Sequence, residues 1–355
     1  MTQSSYAAIV SQYVKDDERA TVTPLGNGLV NLTLMVTTAT SKFVLQRINH
    51  HVFPNPQAVV NNSHVISNHL LAKETNYQYA VITPRASRNG NLLEVIDNEY
   101  WRALEYVDGT MTVDAISDSQ QAYDTAFSFA KFSGALASLP ADNLQPIIDR
   151  FHDLSWRLEQ LKDAKKVASP QRLIKANVVI ESFESQYEFV AQVESLVKQL
   201  PLRITHNDTK INNLLFNCST NLPHAVIDLD TCMCGYLMHD FGDMVRTCCG
   251  SLAEDATNIE DMVFQEDIYQ QLMAGYVDGL NGIALPLELD SLAIGARLMP
   301  FIIGSRFLTD YLANDVYFTT ARDEHNLERA ANQFKLFELV TEFLTSTENK
   351  QRVVG

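Results

Sequence analysis

This 355-residue chain is short of cations and cysteine: 27 Lys and Arg stand against 43 Asp and Glu, a formal net charge of −16, and there are 5 Cys. The negative surplus repels phosphate backbones and anionic lipid, and no basic cluster offsets it, so neither a nucleic-acid partner nor a membrane partner is expected. The cysteines, Cys218, Cys232, Cys234, Cys248 and Cys249, lack both the two-residue gap of zinc knuckles and an accompanying His pair. Reduced, mostly buried thiols are expected instead. With 14 Gly and 11 Pro the chain has too little of either for a collagen-like or disordered polymer. A basic and then apolar leader is missing from Met1–Ala20, and the most apolar stretch, Leu292–Leu312, is interrupted by Arg297, Pro300, Arg306 and Asp310. That pattern predicts a buried helix and a cytoplasmic protein.

What is present is a globular composition, 46% hydrophobic, long enough for about two domains. Tyr6, Ile9, Val10, Tyr13 and Val14 are spaced for a short opening helix. Thr21–Leu25, Leu29–Thr37, Lys42–Ile48, Tyr79–Thr83, Leu92–Ile96 and Tyr100–Val107 then read as strands, with one helix at Pro56–Leu71. Beyond Asp108-Gly109 the period becomes helical, through Tyr123, Phe127, Ala130 and Leu136 and again through Phe183, Tyr187, Val190, Val193 and Val197. A β island at residues 202–229 interrupts it. The expectation is an α+β fold of two lobes, a small antiparallel β lobe over residues 1–107 and a larger, mostly helical lobe over residues 108–355, hinged near residues 104–109.

Chemistry concentrates in the β island, at Thr205-His206-Asn207-Asp208-Thr209-Lys210-Ile211-Asn212-Asn213 and Ile227-Asp228-Leu229-Asp230. A carboxylate, an amide five residues on and a second carboxylate after the next strand match the kinase loop His-x-Asp-x-x-x-x-Asn with its metal-binding Asp. Asn213 and Asp228 would offer oxygen to Mg²⁺, Asp208 would accept a hydroxyl proton, and Lys210 would offset phosphoryl charge. Asp240-Phe241-Gly242 imitates the kinase metal motif but follows Asp228, so Asp240 reads as a helix cap or a brace of the loop.

Gly26 and Gly28 form a turn between two strands that can approach nucleotide phosphates, while no P-loop or Gly-x-Gly-x-x-Gly occurs. Leu104–Gly109, with Glu105 and Val107, is either an adenine-reading hinge or a plain linker. Arg306, in an apolar run, needs an acceptor: Asp310 four residues on, or a ligand. Arg246, three after Asp243, faces the same choice, and Tyr317 is a candidate ligand contact on a loop.

His206, Asp208, Asn213 and Asp228 resemble the aminoglycoside phosphotransferase superfamily, small-molecule kinases of protein-kinase-like fold. Pro24-x-Gly26-x-Gly28-x-x-Asn31-x-Thr33, Leu45-Gln46-Arg47-x-Asn49-x-x-x-Phe53-Pro54, Phe151-His152-Asp153, the stretch from Leu202 to Asn213 and that from Ile227 to Arg246 are similar to its N-acetylhexosamine 1-kinase branch. The resemblance implies ATP- and Mg²⁺-dependent phosphorylation of a small-molecule sugar at its anomeric hydroxyl. It makes Asp208 the base, Asn213 and Asp228 the metal ligands, and Asn31, Arg246, Arg306 and Tyr317 sugar-pocket candidates. One departure stands out. The strand Lys of kinases is replaced by Gln46 then Arg47, and the helix offers Asn61, Asn62 and His64 with no Glu before Glu74. Either Arg47 or Gln46 meets the phosphates in a different way, or the ion pair is absent. Other acceptors (aminoglycoside, choline, homoserine) and a non-catalytic binding module are the competing readings.

Overall fold

The computed structural model describes residues 6–26 and 30–354. In order the elements are α1 (Ala7–Val10), β1 (Thr21–Pro24), β2 (Leu32–Thr37), β3 (Lys42–Ile48), α2 (Pro56–Leu71), β4 (Ala80–Val81), β5 (Pro84–Arg85), β6 (Glu94–Ile96), β7 (Glu99–Glu105) and β8 (Thr110–Met111). There follow α3 (Ser119–Ala135), α4 (Leu154–Val167), α5 (Pro170–Glu184), α6 (Tyr187–Val197), β9 (Arg203–Thr205), β10 (Leu214–Asn217), β11 (Pro223–Val226), β12 (Met233–Gly235), α7 (Leu237–Cys248), α8 (Glu266–Leu280), α9 (Pro286–Leu312) and α10 (His325–Val354).

The first unit comprises residues up to Val113 together with Ala135–Asp149 and Asn213–Cys234. Its main sheet runs β1-β2-β3-β7-β5, with β6 also on β7, and every pairing is antiparallel. Side chains alternate between faces along a strand. Leu34, Val36, Phe43, Leu45, Trp101 and Ala103 therefore share one face and bury themselves under Ile9, Val10, Tyr13 and Val14. The other face carries Thr33, Gln46 and Arg102, which sit opposite one another in the register. α2 begins and ends where its sequence predicts, because Pro56 occupies the first turn and the Asn55 side chain accepts from the Ala58 N–H.

The units are not two consecutive segments cut at residue 107. β10 and β11 form a hairpin, β10 pairs with β8, and β11 pairs in parallel with β4, so strand pairing draws 213–234 into the first unit. The expected hinge, residues 104–109, accordingly lies inside that unit. The opening helix is also shorter than its periodicity suggests, and the apolar face from Phe183 to Val197 belongs to two helices parted at Ser185 and Gln186.

The second unit holds 114–134, 150–212 and 235–355. α9 is its axis, packed by α7, α10, α4 and α5. It is the one helix among the described residues that is long and apolar enough to cross a membrane, yet 67% of its most apolar window is buried within the protein, which marks it as a core helix. Arg297 accepts this position by lying over Phe189 and Phe337 and bonding Thr341. α7 and α9 approach through glycine on both sides: a Cβ on Gly242 would stand 2.1 Å from the Gly295 carbonyl oxygen, and one on Gly295 would stand 2.0 Å from that of Met238. Neither obstacle is a flexible side chain. Gly242→Ala and Gly295→Ala are each expected to lower stability by roughly 1–3 kcal/mol through forced helix separation. Urea unfolding checks this, and an unchanged midpoint in both would show that the crossing yields freely.

Candidate active site

The loop after β9 is built around one buried carboxylate. Asp240, in the first turn of α7, accepts the His206 N–H on Oδ2 at 3.0 Å and the Asn207 N–H on Oδ1 at 2.7 Å, while the Thr209 hydroxyl donates to its carbonyl at 2.5 Å. Asp240 is thus a brace of the loop, not a cap, since the N-cap of α7 is Tyr236. The chain then turns at Asn207, which takes a left-handed φ of 63°. A side chain on Gly235 would meet the Thr205 hydroxyl at 2.3 Å, so only glycine fits against this turn. The His206 ring is enclosed edge-on by Phe129 and Phe132.

From this braced turn Asp208 projects, half-buried and 3.0 Å from the Lys210 ammonium. Burial would raise its pKa, but Lys210, then His206 and Arg246, outweigh that and hold the carboxylate below its usual range. Asp208 is therefore ionised at neutral pH and can accept a hydrogen bond from a hydroxyl.

Three guanidinium groups in the same unit act on this neighbourhood. Arg246 is paired with Asp243 and Glu254, each at 2.7 Å, and buried. Arg306 lies over the rings of Phe151, Tyr317 and Phe318 and bonds Tyr317. Asp310, the sequence's alternative partner for Arg306, is occupied otherwise: it accepts the N–H groups of Val316, Tyr317 and Phe318 at 2.8–3.0 Å and so shapes the loop that presents Tyr317. The third, Arg157, the sequence reading missed. Its Nε and Nη2 donate to the Phe151 carbonyl, and burial together with Arg306 pushes its pKa down to about 10. Within this group sits His152, 8% exposed, its Nδ1 without a hydrogen-bond partner. Burial, His239 and the arginines force its pKa well below the usual imidazole value, so it is neutral.

The first unit has two oxygen donors of its own that the sequence singled out. Asn213 ends a 3₁₀ turn and its carbonyl accepts the Ile227 N–H at 2.9 Å, which sets Asp228 beside it in a left-handed conformation of φ 58°. One amide and one carboxylate suit Mg²⁺, which keeps waters and phosphate oxygens as its other ligands. Among the described residues no group of three His, Cys, Asp or Glu could hold a metal, and the cysteines are free thiols with Cys232, Cys248 and Cys249 buried.

Other expected contacts fall elsewhere. Arg47 shares the sheet face of Trp101 and pairs with Glu99 at 2.5 Å, whereas Gln46 and Arg102 occupy the opposite face, so the phosphate contact assigned to Arg47 is withdrawn. Both ends of the Asn31 amide are engaged, with Asp230 at 2.7 Å and the Asn49 N–H at 3.0 Å, which removes it from the sugar contacts. Gly26 has the positive φ of 69° that its turn requires, and Gly28 lies outside the described residues. The Glu105 N–H is held by the Thr83 carbonyl, and the Val107 carbonyl accepts the Thr110 hydroxyl at 2.8 Å.

A family profile described as the phosphotransferase enzyme family (APH) matches residues 21–274, and the chain belongs to that family. Among solved structures it is similar to a microcompartment-associated aminopropanol kinase (17% identity, 97% of this chain and 98% of the other, TM-score 0.60). It also resembles a spectinomycin phosphotransferase in complex with ADP and spectinomycin (12%, 96% and 98%, 0.59) and a choline/ethanolamine kinase family protein from Mesorhizobium loti (16%, 96% and 95%, 0.58). The fold is the protein-kinase-like one anticipated from the sequence, and the chain is a small-molecule phosphotransferase.

Burial raises the Asp240 pKa from the ordinary 3.8 to about 6, against the two N–H bonds and His206, which lower it. Between those values the folded protein binds a proton that the unfolded chain has lost, so this group's contribution to stability falls as pH rises through the window. Protonation weakens the carboxylate's hold on both amides. The phosphotransfer rate is expected to fall as pH drops through about 6, and Asp240→Asn, with one acceptor oxygen for two N–H groups, to be slower and free of that limb. An identical acid limb in the variant would dissociate Asp240 from it.

Proposed function

We propose that the protein transfers the γ-phosphoryl group of ATP to the anomeric hydroxyl of an N-acetylhexosamine, giving the sugar 1-phosphate. The observation that carries the acceptor's class is the set Arg157, Arg246 and Arg306 about His152, with the fields of Arg246 and Arg306 reaching Asp208. An aminoglycoside, choline or ethanolamine brings positive charge, which Arg157 and Arg306 repel, Arg246 being neutralised by Asp243 and Glu254. A neutral polyol with an acetamido oxygen meets donors it can use. Neutral His152, with an unpartnered buried nitrogen, offers one more hydrogen bond to a hydroxyl. Subfamily similarity over Phe151-His152-Asp153, Leu202–Asn213 and Ile227–Arg246 supports the same acceptor.

Asp208, kept ionised by Lys210, orients the acceptor oxygen and takes its proton as the O–P bond forms. Lys210 offsets charge on the phosphoryl oxygens. Mg²⁺, held by Asn213 and Asp228, would neutralise charge on the nucleotide phosphates. ATP is the assigned donor because a structural relative carries ADP.

ADP release is to be measured against N-acetylglucosamine, N-acetylgalactosamine, glucosamine, kanamycin, choline and homoserine, with phosphorus NMR of the product. We expect a hexosamine 1-phosphate from the wild type, a loss of about 10²-fold or more in Asp208→Asn with nucleotide binding retained, and a sugar KM raised about tenfold in Arg306→Met with the KM for ATP unmoved. Turnover confined to a cationic acceptor would discard the sugar, and a near-normal rate in Asp208→Asn would discard the base.

A further inference from the structure

The kinase strand lysine and helix glutamate are both missing from this sequence, yet the first unit contains a fully buried cation–carboxylate pair beside the metal-binding Asp. Arg102 of β7 and Asp230 are each 2% exposed and lie 2.5 Å apart, Nη2 to Oδ1. We infer that Arg102 and Asp230 are the positioning pair that sets the Asp228 carboxylate, the cation having moved from β3 to the neighbouring strand and its partner from α2 to the metal loop. This deepens the kinase reading and rests on it.

Three observations lead there. Gln46 stands where the strand cation would be and directly opposite Arg102 in the register, and it works as an adaptor. Its Oε1 accepts from Arg102 Nε at 3.0 Å and Nη2 at 2.7 Å, and its Nε2 donates to the Thr33 hydroxyl at 3.0 Å. The guanidinium is thereby aimed across the face of the sheet; of the β3 cations, Arg47 is on the other side and Lys42, at the start of the strand, is paired with Asp108 at 2.7 Å. Asp230 has a second partner in Asn31, whose amide donates to Oδ2 at 2.7 Å and whose oxygen holds the Asn49 N–H. The loop is therefore tied both to β7 and to the chain just beyond the glycine turn. Lastly, α2 contributes an amide where a glutamate would be expected: Asn62, 1% exposed, donates to the Cys232 carbonyl at 3.2 Å.

The metal loop is tethered at Ile227, Asp230 and Cys232, and Asp228 lies between the first two tethers in a left-handed conformation that an L-residue keeps only when its surroundings impose it. Removing the middle tether leaves Asp228 free to relax. Arg102 is too buried to reach a ligand itself, so its effect passes through Asp230 to Asp228.

The test is Mn²⁺ binding to the full chain in the presence of ADP, followed by electron paramagnetic resonance, with melting temperatures taken in parallel. Arg102→Met and Asp230→Asn are expected to weaken Mn²⁺ about tenfold or more, as loss of an outer support does at metal sites. The double variant should be little worse than either single one, since both remove the same link. Gln46→Met leaves the ion pair's charges in place, folds if the stronger variants do not, and should weaken Mn²⁺ by a smaller factor. Ile180→Val, a core change in the other unit, should lower the melting temperature with Mn²⁺ affinity unmoved. Mn²⁺ affinity within twofold of wild type in Gln46→Met and in whichever of the stronger variants fold would overturn the inference while leaving the kinase reading intact. A wild type that binds no Mn²⁺ with ADP would overturn both.

Discussion

The loop between β9 and β10 depends on a carboxylate that touches no substrate in the proposed chemistry. Asp240 is buried completely, and a buried charge is tolerated only where hydrogen bonds replace its lost water. Its two oxygens take two consecutive backbone N–H groups, His206 and Asn207, and the chain then turns at Asn207, whose φ is 63°. That turn aims the next residue, Asp208, away from the core and toward Lys210. Glycine at 235 and the phenyl rings around His206 leave the turn no alternative arrangement. The cost is visible in the raised pKa of Asp240, so the geometry that positions the base is maintained at the expense of stability at neutral pH.

Where the physics is local, the sequence was a sufficient guide. β3 and α2 fall on their expected residues because alternation, a proline in the first turn and an asparagine cap are all short-range signals. The spacing of residues 206–213 is likewise a short-range signal, carried within the single segment between β9 and β10. Longer-range pairing was not legible. Nothing near residues 214–226 announces that this hairpin joins β4 and β8, and so a single cut near residue 107 misses how the chain is divided. Asp240 was half legible, as cap or brace, and only the coordinates of the His206 amide decide between them.

The site residues that sequence reasoning misplaced share a cause. Arg47 and Gln46 are neighbours in sequence, but a strand turns one of them to each face, and the choice is made by which face buries Phe43 and Leu45. Since those two odd-numbered positions are core, Arg47 goes with them toward Trp101, and the even-numbered Gln46 faces Arg102. That parity was available in the sequence. Asn31 was read as a substrate contact, and the distant residue that claims it, Asp230, lies 199 positions away. Arg157 carried no signal at all, being one arginine on an amphipathic helix until Phe151 and Arg306 are seen beside it.

Charge is distributed against the composition. A chain of net charge −16 gathers Arg157, Arg246 and Arg306 around one neutral histidine; Asp243 and Glu254 neutralise Arg246, but Asp310 is committed to a loop's backbone and Asp153 to capping α4 rather than to Arg157 or Arg306. Burial and then Arg306 lower the affinity of Arg157 for a proton, and the two are held by stacking and by a carbonyl, which are weaker partners than a carboxylate. Such a cluster is unfavourable unless something electron-rich enters it. On the proposed reading, a hydroxyl- and amide-bearing sugar, acquiring a phosphate as it reacts, becomes a better partner for these cations as the reaction proceeds. Acceptors that arrive carrying an ammonium group gain nothing comparable from them, so the arginines bias the site by attraction and repulsion together.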